Sequence, residues 1–114
     1  MAPLRSSRLH SQPQFQQIAR HGKRIHTPSL MMKWIPSPDG VCRFCFIAKK
    51  KNGNAVYRNR CRRVLRHLFL SAIPQIKNPV WAIVLVNDKA AEVTALRLRE
   101  SSDFIFEKMN WGSP

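Results

Sequence analysis

The stretch from Lys49 to Arg66 holds the side chains best suited to chemistry, because it places eight cations in eighteen residues with no acid among them. The cations are Lys49, Lys50, Lys51, Arg58, Arg60, Arg62, Arg63 and Arg66. Like charges this close repel one another, and a bound polyanion removes that repulsion. Guanidinium and ammonium groups also bind phosphate oxygens. The stretch therefore predicts a surface that binds a nucleic-acid backbone.

Groups that could catalyse hydrolysis are sparse in this sequence. Asp39 is the single acid in residues 1–87, against sixteen Lys and Arg, and the other five acids follow residue 87. Paired carboxylates for metal-assisted hydrolysis are therefore not available. The histidines have no evident partners in the sequence: His10, His21, His26 and His67. The sequence predicts no catalytic residue and no metal ligand.

The three cysteines include one pair with a spacing used by metal and redox sites, Cys42 and Cys45. The residues around this pair read as a strand, in which side chains three positions apart point to opposite faces. Cys61 stands alone, and no second pair completes a set of four zinc ligands. Three reduced thiols in a cytosolic protein are the favoured interpretation.

Length and composition indicate one globular unit. The chain has 114 residues, and 44% are hydrophobic, enough for one modest core. We expect a single domain over 1–114, with residues 1–7 disordered. No apolar run approaches the roughly 18 residues that span a bilayer. The Arg- and Ser-rich start of the chain faintly resembles an organellar transit peptide, so an organelle is the alternative to the expected cytoplasm.

Apolar periodicity and turn residues predict the elements that must position the basic stretch. We expect a helix over 11–20, capped by Ser11 and stopped by Gly22, and then Lys23-Arg24 as a basic link. Strands over 29–35 and 41–48 should form an antiparallel hairpin through the turn at 36–40. A strand over 80–86 and a helix over 89–110 follow; Asp88 would cap this helix, and Ser101-Ser102 would weaken it. The expected order is α-β-β-α-β-α, an α+β sandwich with helices packed on a small sheet.

A helix over 55–72 should carry most of the basic stretch, with Asn54 as its N-cap. On a helical wheel, one apolar stripe falls within about 100° of arc. The stripe comprises Tyr57, Cys61, Val64, Leu65, Leu68 and Ala72. The arginines occupy most of the remaining surface, so the helix can lie on a sheet and present its arginines outward.

The block from Lys50 to Arg66 also carries a family resemblance. Its Lys-Lys pair, the Gly-Asn-Ala-Val run from Gly53, the Arg-Asn-Arg from Arg58 and the following basic helix resemble the protein subunits of bacterial ribonuclease P. Upstream, Arg8-Leu9, Phe15 and Gly22-Lys23-Arg24 match the family's opening helix and its exit, and the similarity covers about residues 8–105. Positions that depart from the family pattern are Ala19, Cys45, Lys49 and the start of the late strand, where Val80-Trp81 stands in place of a frequent acid.

The resemblance implies a fold, an activity and partners. The fold would be a small mixed four-stranded sheet with three helices and a left-handed βαβ crossover, against the usual hand. The same fold occurs in the second domain of a small-subunit ribosomal protein. The activity would be removal of the 5′ leader from precursor tRNA by a catalytic RNA with Mg²⁺. The protein would bind that RNA and the leader, with no organic cofactor, membrane or protein partner required.

Under this resemblance, the basic residues are assigned to the phosphates of the catalytic RNA. The predicted RNA-binding set is Lys49, Lys50, Lys51, Asn54, Arg58, Asn59, Arg60, Arg62, Arg63 and Arg66, with Asn52 in the same loop. The alternative, a solvated helix face, would usually include acids, and this face has none. A ribosomal or generic RNA-binding protein without a role in tRNA processing would share the charge but not the motif. A DNA-binding regulator would need a further helix before the basic one.

The resemblance also implies a leader-binding cleft between the first helix and the sheet, lined by aromatic rings. The candidates are Phe15, Trp34, Phe44 and Phe46. Rings of this kind stack on single-stranded RNA without strong sequence preference. Phe44 and Phe46 share one strand face by parity. The alternative is that the strand rings are core residues packed against helices.

Overall fold

The computed structural model describes residues 12–49, 53–87 and 94–111. Its α-helices are Gln12–His21 (α1), Ala55–Ala72 (α2) and Ala95–Met109 (α3), and its strands are Lys23–His26 (β1), Leu30–Pro36 (β2), Arg43–Ile47 (β3) and Val80–Val86 (β4). The expected disorder at 1–7, the expected caps Ser11 and Asp88, and the loop residues Lys50, Lys51 and Asn52 lie outside these ranges. The α+β sandwich is confirmed, with β1 as an additional strand.

Strand β1 corrects the prediction that Lys23-Arg24 is only a link. It pairs antiparallel with β2, bringing Lys23 opposite Trp34 and Ile25 opposite Met32. The strand is four residues long, and of these Ile25 alone is withdrawn from solvent. It forms an edge of the sheet, where short, charged strands are common because they discourage further pairing. An alternation with one apolar residue is too weak a pattern to predict a strand.

The predicted hairpin between the strands at 29–35 and 41–48 is wrong. The strand order is β1-β2-β4-β3, so β4 lies between them. β4 pairs antiparallel with β2 and parallel with β3. The reason is burial: β4 is a continuous apolar run, and only a central strand is covered on both faces. The crossover from β3 to β4 runs through α2.

The larger core lies between one sheet face and helices α2 and α3. Asn54 caps α2 as predicted, its Oδ1 accepting a 2.9 Å hydrogen bond from the backbone N–H of Tyr57. The predicted stripe is buried at Cys61 and Leu65, and it extends to Phe69, which is fully buried and which the wheel left out. The facing strand residues include Met32, Phe44, Ala82 and Val84.

The other sheet face is covered by α1, through a smaller cluster. Ile18 is fully buried there against Ile35 and Trp81, with Phe15 and Cys45 at its margin. The helix ends just before Gly22, as predicted; the N–H of Gly22 makes the last helical bond, to the carbonyl of Ile18 at 2.8 Å, and a Cβ at this position would collide with that carbonyl oxygen and with Lys33. Cys42 and Cys45 therefore belong to opposite faces of the sheet, as the strand periodicity predicts.

Helix α3 begins at Ala95 and not at residue 89 as predicted, because Thr94 is its extended N-cap and Thr94 Oγ1 accepts a 3.2 Å bond from the N–H of Arg97. The predicted weakness at Ser101-Ser102 is wrong, since both residues are buried within a continuous helix. The hydroxyl of Ser102 donates to the carbonyl of Leu98 at 2.7 Å, which satisfies it in place of solvent.

Candidate RNA interface

The outward face of α2 carries the predicted arginines on a rigid support. Arg60, Arg63 and Arg66 are exposed, whereas Arg58 and Arg62 are half-buried. The opposite side of the same helix is buried in the core at Cys61, Leu65 and Phe69. The core therefore fixes the position of the helix that carries the arginines. The arrangement can present several guanidinium groups to a phosphate backbone at once.

Two arginines are set apart by their hydrogen bonds. Arg58 has a buried Nε with no hydrogen-bond partner among the described residues. Buried donors are nearly always paired, so this unpaired Nε stands out among the described residues. Arg62 instead donates to the Oδ1 of Asn59. The side-chain oxygen of Asn59 therefore orients the guanidinium group of Arg62.

Asp39, in the loop between β2 and β3, is surrounded by hydrogen-bond donors. Asp39 is the one acid in the described residues before Thr94, and its Oδ2 accepts a 2.8 Å bond from the Nε of Arg43. Its Oδ1 accepts further bonds from Ser37, Val41 and Trp81. Burial alone would raise the pKa of Asp39, but these hydrogen bonds hold it well below its usual range. The carboxylate is thus ionised and already compensated by donors.

The segments on either side of residues 50–52 lead into α2. Lys49 is exposed at the end of the segment that follows β3. Gly53 has a φ of 146°, and a Cβ there would collide with the ring of Tyr57, so glycine is required. The side-chain oxygen of Asn54 caps the helix, which makes its demonstrated role structural.

A groove between α2 and α3 adds a cation that the sequence analysis did not assign. Its volume is about 380 Å³, and Arg63 and His67 line it opposite Arg99 of α3. Arg99 stands among both acids and bases on α3, and the sequence does not reveal which helices touch. The basic surface therefore continues across the α2–α3 junction.

The aromatic residues predicted to line one cleft are divided between the two sheet faces. Phe15 of α1 packs at the margin of the Ile18, Ile35 and Trp81 cluster. Phe44 and Phe46 lie on the other face and contact Phe69 of α2, with ring centroids 5.6 and 5.5 Å away. A single cleft lined by all four rings is therefore not present, and Phe44, at 2% exposure, is a core residue.

Trp34 shares the face of Phe44 and not that of Phe15. Both residues pair with Ala82 of β4, from opposite sides. The small side chain of Ala82 separates the two rings across the sheet. Trp34 is half-buried, and the Nζ of Lys23 lies 5.7 Å from its ring centroid. This ring is thus beside the β1 edge, away from α1.

No described residues form a group of three or more His, Cys, Asp or Glu that could hold a metal ion. The three thiols are reduced, and burial raises the pKa of Cys42 despite a hydrogen bond with the backbone of Val80. None of the helices in the described ranges is long and apolar enough to cross a membrane.

Known proteins match both the sequence and the fold. The family model Ribonuclease P matches residues 4–110. The ribonuclease P protein component of Desulfatibacillum aliphaticivorans is 29% identical over 109 residues, covering 96% of this chain and 92% of that protein. That of Nitratiruptor is 36% identical over 78 residues, covering 68% of each.

Two solved structures share the fold. An RNase P protein of Staphylococcus aureus superposes with a TM-score of 0.81 at 23% identity, covering 90% of this chain and 94% of that one. The RNase P protein of Thermotoga maritima gives 0.78 at 22% identity, covering 89% and 98%. With the sequence matches, the acid-free arginine face and the four-stranded mixed sheet, this chain belongs to the ribonuclease P protein family.

Proposed function

We propose that this protein is the subunit of a ribonuclease P that binds the catalytic RNA and the 5′ leader of precursor tRNA. The observation that carries the proposal is the acid-free arginine face of α2, held outward by a buried stripe. Arg60, Arg63 and Arg66 are exposed there, and the buried Nε of Arg58 lacks a partner within the described residues. Phosphate oxygens of a folded RNA would bind the three exposed guanidinium groups.

The chemistry in this proposal belongs to the RNA and its Mg²⁺. Mg²⁺ is commonly bound through carboxylates and phosphates, and the catalytic RNA supplies phosphates in abundance. The protein contributes positive charge, which lowers the repulsion between the catalytic RNA and its tRNA substrate. We further propose that it acts in the bacterial cytoplasm, as its bacterial relatives suggest.

The leader is proposed to lie on the α1 face of the sheet. Phe15 is half-buried at the edge of that face, where its ring can stack on a base. Lys33 is on the same face, and its Nζ donates to the carbonyl of Ala19 at 2.7 Å, which holds α1 against the strands. Trp34, Phe44 and Phe46 are left out of this site because they lie on the opposite face.

Reconstitution tests the proposal directly. The purified protein alone should not cleave precursor tRNA. Added to a bacterial ribonuclease P RNA at low Mg²⁺, it should raise the rate of leader removal, and a variant carrying Arg60→Gln, Arg63→Gln and Arg66→Gln should lose most of that effect. A protein that neither binds nor stimulates any ribonuclease P RNA would show the proposal to be wrong.

A further inference from the structure

A second cavity lies at the end of the sheet where β2 stops and β4 starts. Its volume is about 430 Å³, which is within the range of small-molecule and nucleotide sites. β2 contributes Trp34 and Pro36, the connection into β4 contributes residues 77–80, and the C-terminal end of α3 contributes residues 109–111. The cavity opens on the α2–α3 side of the sheet, opposite Phe15.

The aromatic wall of this cavity is preorganised. Trp111 is 5% exposed, and its ring contacts those of Phe44 and Phe106 at centroid distances of 6.0 and 5.9 Å. Its backbone N–H bonds the carbonyl of Phe106 at 2.8 Å, after the left-handed residue Asn110 with φ of 60°. Trp34 is half-buried on the other side. Rings held in place in this way lose little freedom when a flat ligand stacks on them.

The polar groups of the cavity suit a nucleotide. Lys77, Asn78 and Asn110 are exposed around it, and none of the described lining residues is acidic. Amide side chains can donate to and accept from base edges, and lysines bind phosphate. The carboxyl end of α3 carries partial negative charge, so the phosphate belongs at Lys77 and the base amino groups toward Asn110.

We propose that this cavity holds one nucleotide of a single-stranded RNA segment, with the base beside Trp34 and the phosphate at Lys77. This inference rests on the proposed function, to which it adds an RNA contact separate from the α2 face and from the α1 face. The Lys23 ammonium near Trp34 extends the positive potential to the β1 edge. In this proposal Trp34 binds RNA in the cavity and not in the predicted leader cleft.

Nuclear magnetic resonance of the ¹⁵N-labelled full chain tests the site. Single-stranded hexaadenylate RNA should shift the indole signals of Trp34 and Trp111 and the side-chain amides of Asn78 and Asn110. Trp81 reports the α1 face separately, since its indole bonds Asp39. 5′-AMP should shift the same cavity signals more weakly, which distinguishes an RNA segment from a free nucleotide. Shifts confined to Trp81, or none, would overturn the inference.

Matched variants separate this site from the proposed function. Lys77→Gln should weaken the hexaadenylate affinity measured at the cavity signals by about three- to tenfold, the effect of losing one phosphate contact. Trp34→Leu should weaken it by at least about fivefold through lost stacking. Arg66→Gln should leave the cavity shifts unchanged while it lowers affinity for the catalytic RNA. If Lys77→Gln has no effect while Arg66→Gln does, the proposed function stands and this inference fails. Shifts produced by hexaglutamate and not by RNA would likewise overturn it, in favour of an acidic protein partner.

Discussion

The indole Nε1 of Trp81 donates a 3.1 Å hydrogen bond to Oδ1 of Asp39, and this bond ties the β2–β3 loop to the start of β4. A second bond acts nearby, from the N–H of Ser37 to the carbonyl of Pro79 at 2.9 Å. The loop has to cross the end of β4 for β3 to pair on the far side of that strand. Asp39 therefore stabilises the crossing that defines the strand order.

Asp39→Asn is expected to lower the free energy of unfolding at pH 7 by on the order of 1 kcal/mol, because the carboxylate is partly exposed. Although burial favours the neutral acid, the donors around Asp39 hold its pKa in the folded state below the unfolded value of about 4. The stabilisation is then fully present above that pH and is lost as the pH falls toward the folded-state value.

Urea denaturation at pH 7, 4 and 2 measures this effect. The difference between the wild type and Asp39→Asn should shrink on acidification. Asp103→Asn, which changes an exposed carboxylate on α3, is the matched control and should alter stability at pH 7 by less than about 0.5 kcal/mol. A difference for Asp39→Asn that stays constant from pH 7 to pH 2 would contradict the assignment.

Phe69→Ala should destabilise the fold by about 3–5 kcal/mol, because it leaves a cavity between the rings of β3 and α3. Phe69 is fully buried, with ring centroids of Phe44 and Phe106 5.6 and 4.9 Å away. Val56→Ala, at a residue 78% exposed on the same helix, should change stability by less than about 0.5 kcal/mol. Thermal unfolding followed by circular dichroism compares the two. Equal effects would mean that α2 does not pack as described.

Local signals in the sequence were sufficient to predict α2. Asn54 precedes an apolar stripe of helical period, and the structure confirms both the cap and the stripe. Strand parity likewise placed Cys42 and Cys45 on opposite faces. Each of these features depends on residues a few positions apart in the chain.

The features that could not be predicted depend on distant parts of the chain. β4 lies between β2 and β3, where its apolar residues are buried on both faces of the sheet. Which strand takes the central position depends on packing between distant parts of the chain. The face occupied by Phe44 follows from where α2 returns to pack. The position of Arg63 and Arg99 on one groove follows from helix pairing. Parity shows which rings share a face, but it does not show which helix covers that face.

Phe15→Ala should weaken leader binding selectively, because it removes the ring proposed to stack on a leader base. The measured quantity is the affinity of the reconstituted enzyme for precursor tRNA relative to mature tRNA, which lacks the leader. We expect that preference to fall by about 1–3 kcal/mol. Phe104→Ala, at a ring 45% exposed on α3, is the matched control and should leave the preference unchanged. Phe46→Ala should lower the free energy of unfolding, since its ring packs on Phe69. It should leave the leader preference nearly unchanged. A larger loss of leader preference in Phe46→Ala than in Phe15→Ala would reverse the assignment of the two faces.

The salt dependence of RNA binding should report how many α2 arginines reach phosphates. Each neutralised phosphate releases counterions, so Arg60→Gln, Arg63→Gln and Arg66→Gln should each reduce the slope of log affinity against log salt concentration by about 1. Arg66→Lys should keep the slope and lose affinity, because lysine retains the charge without the bidentate geometry. Arg97→Gln, at an exposed arginine on α3, should leave the slope unchanged. Filter binding to the catalytic RNA between about 0.1 and 0.5 M salt measures these slopes. Unchanged slopes in all three α2 variants would mean that this face is only solvated, and the RNA would then have to bind elsewhere on the protein.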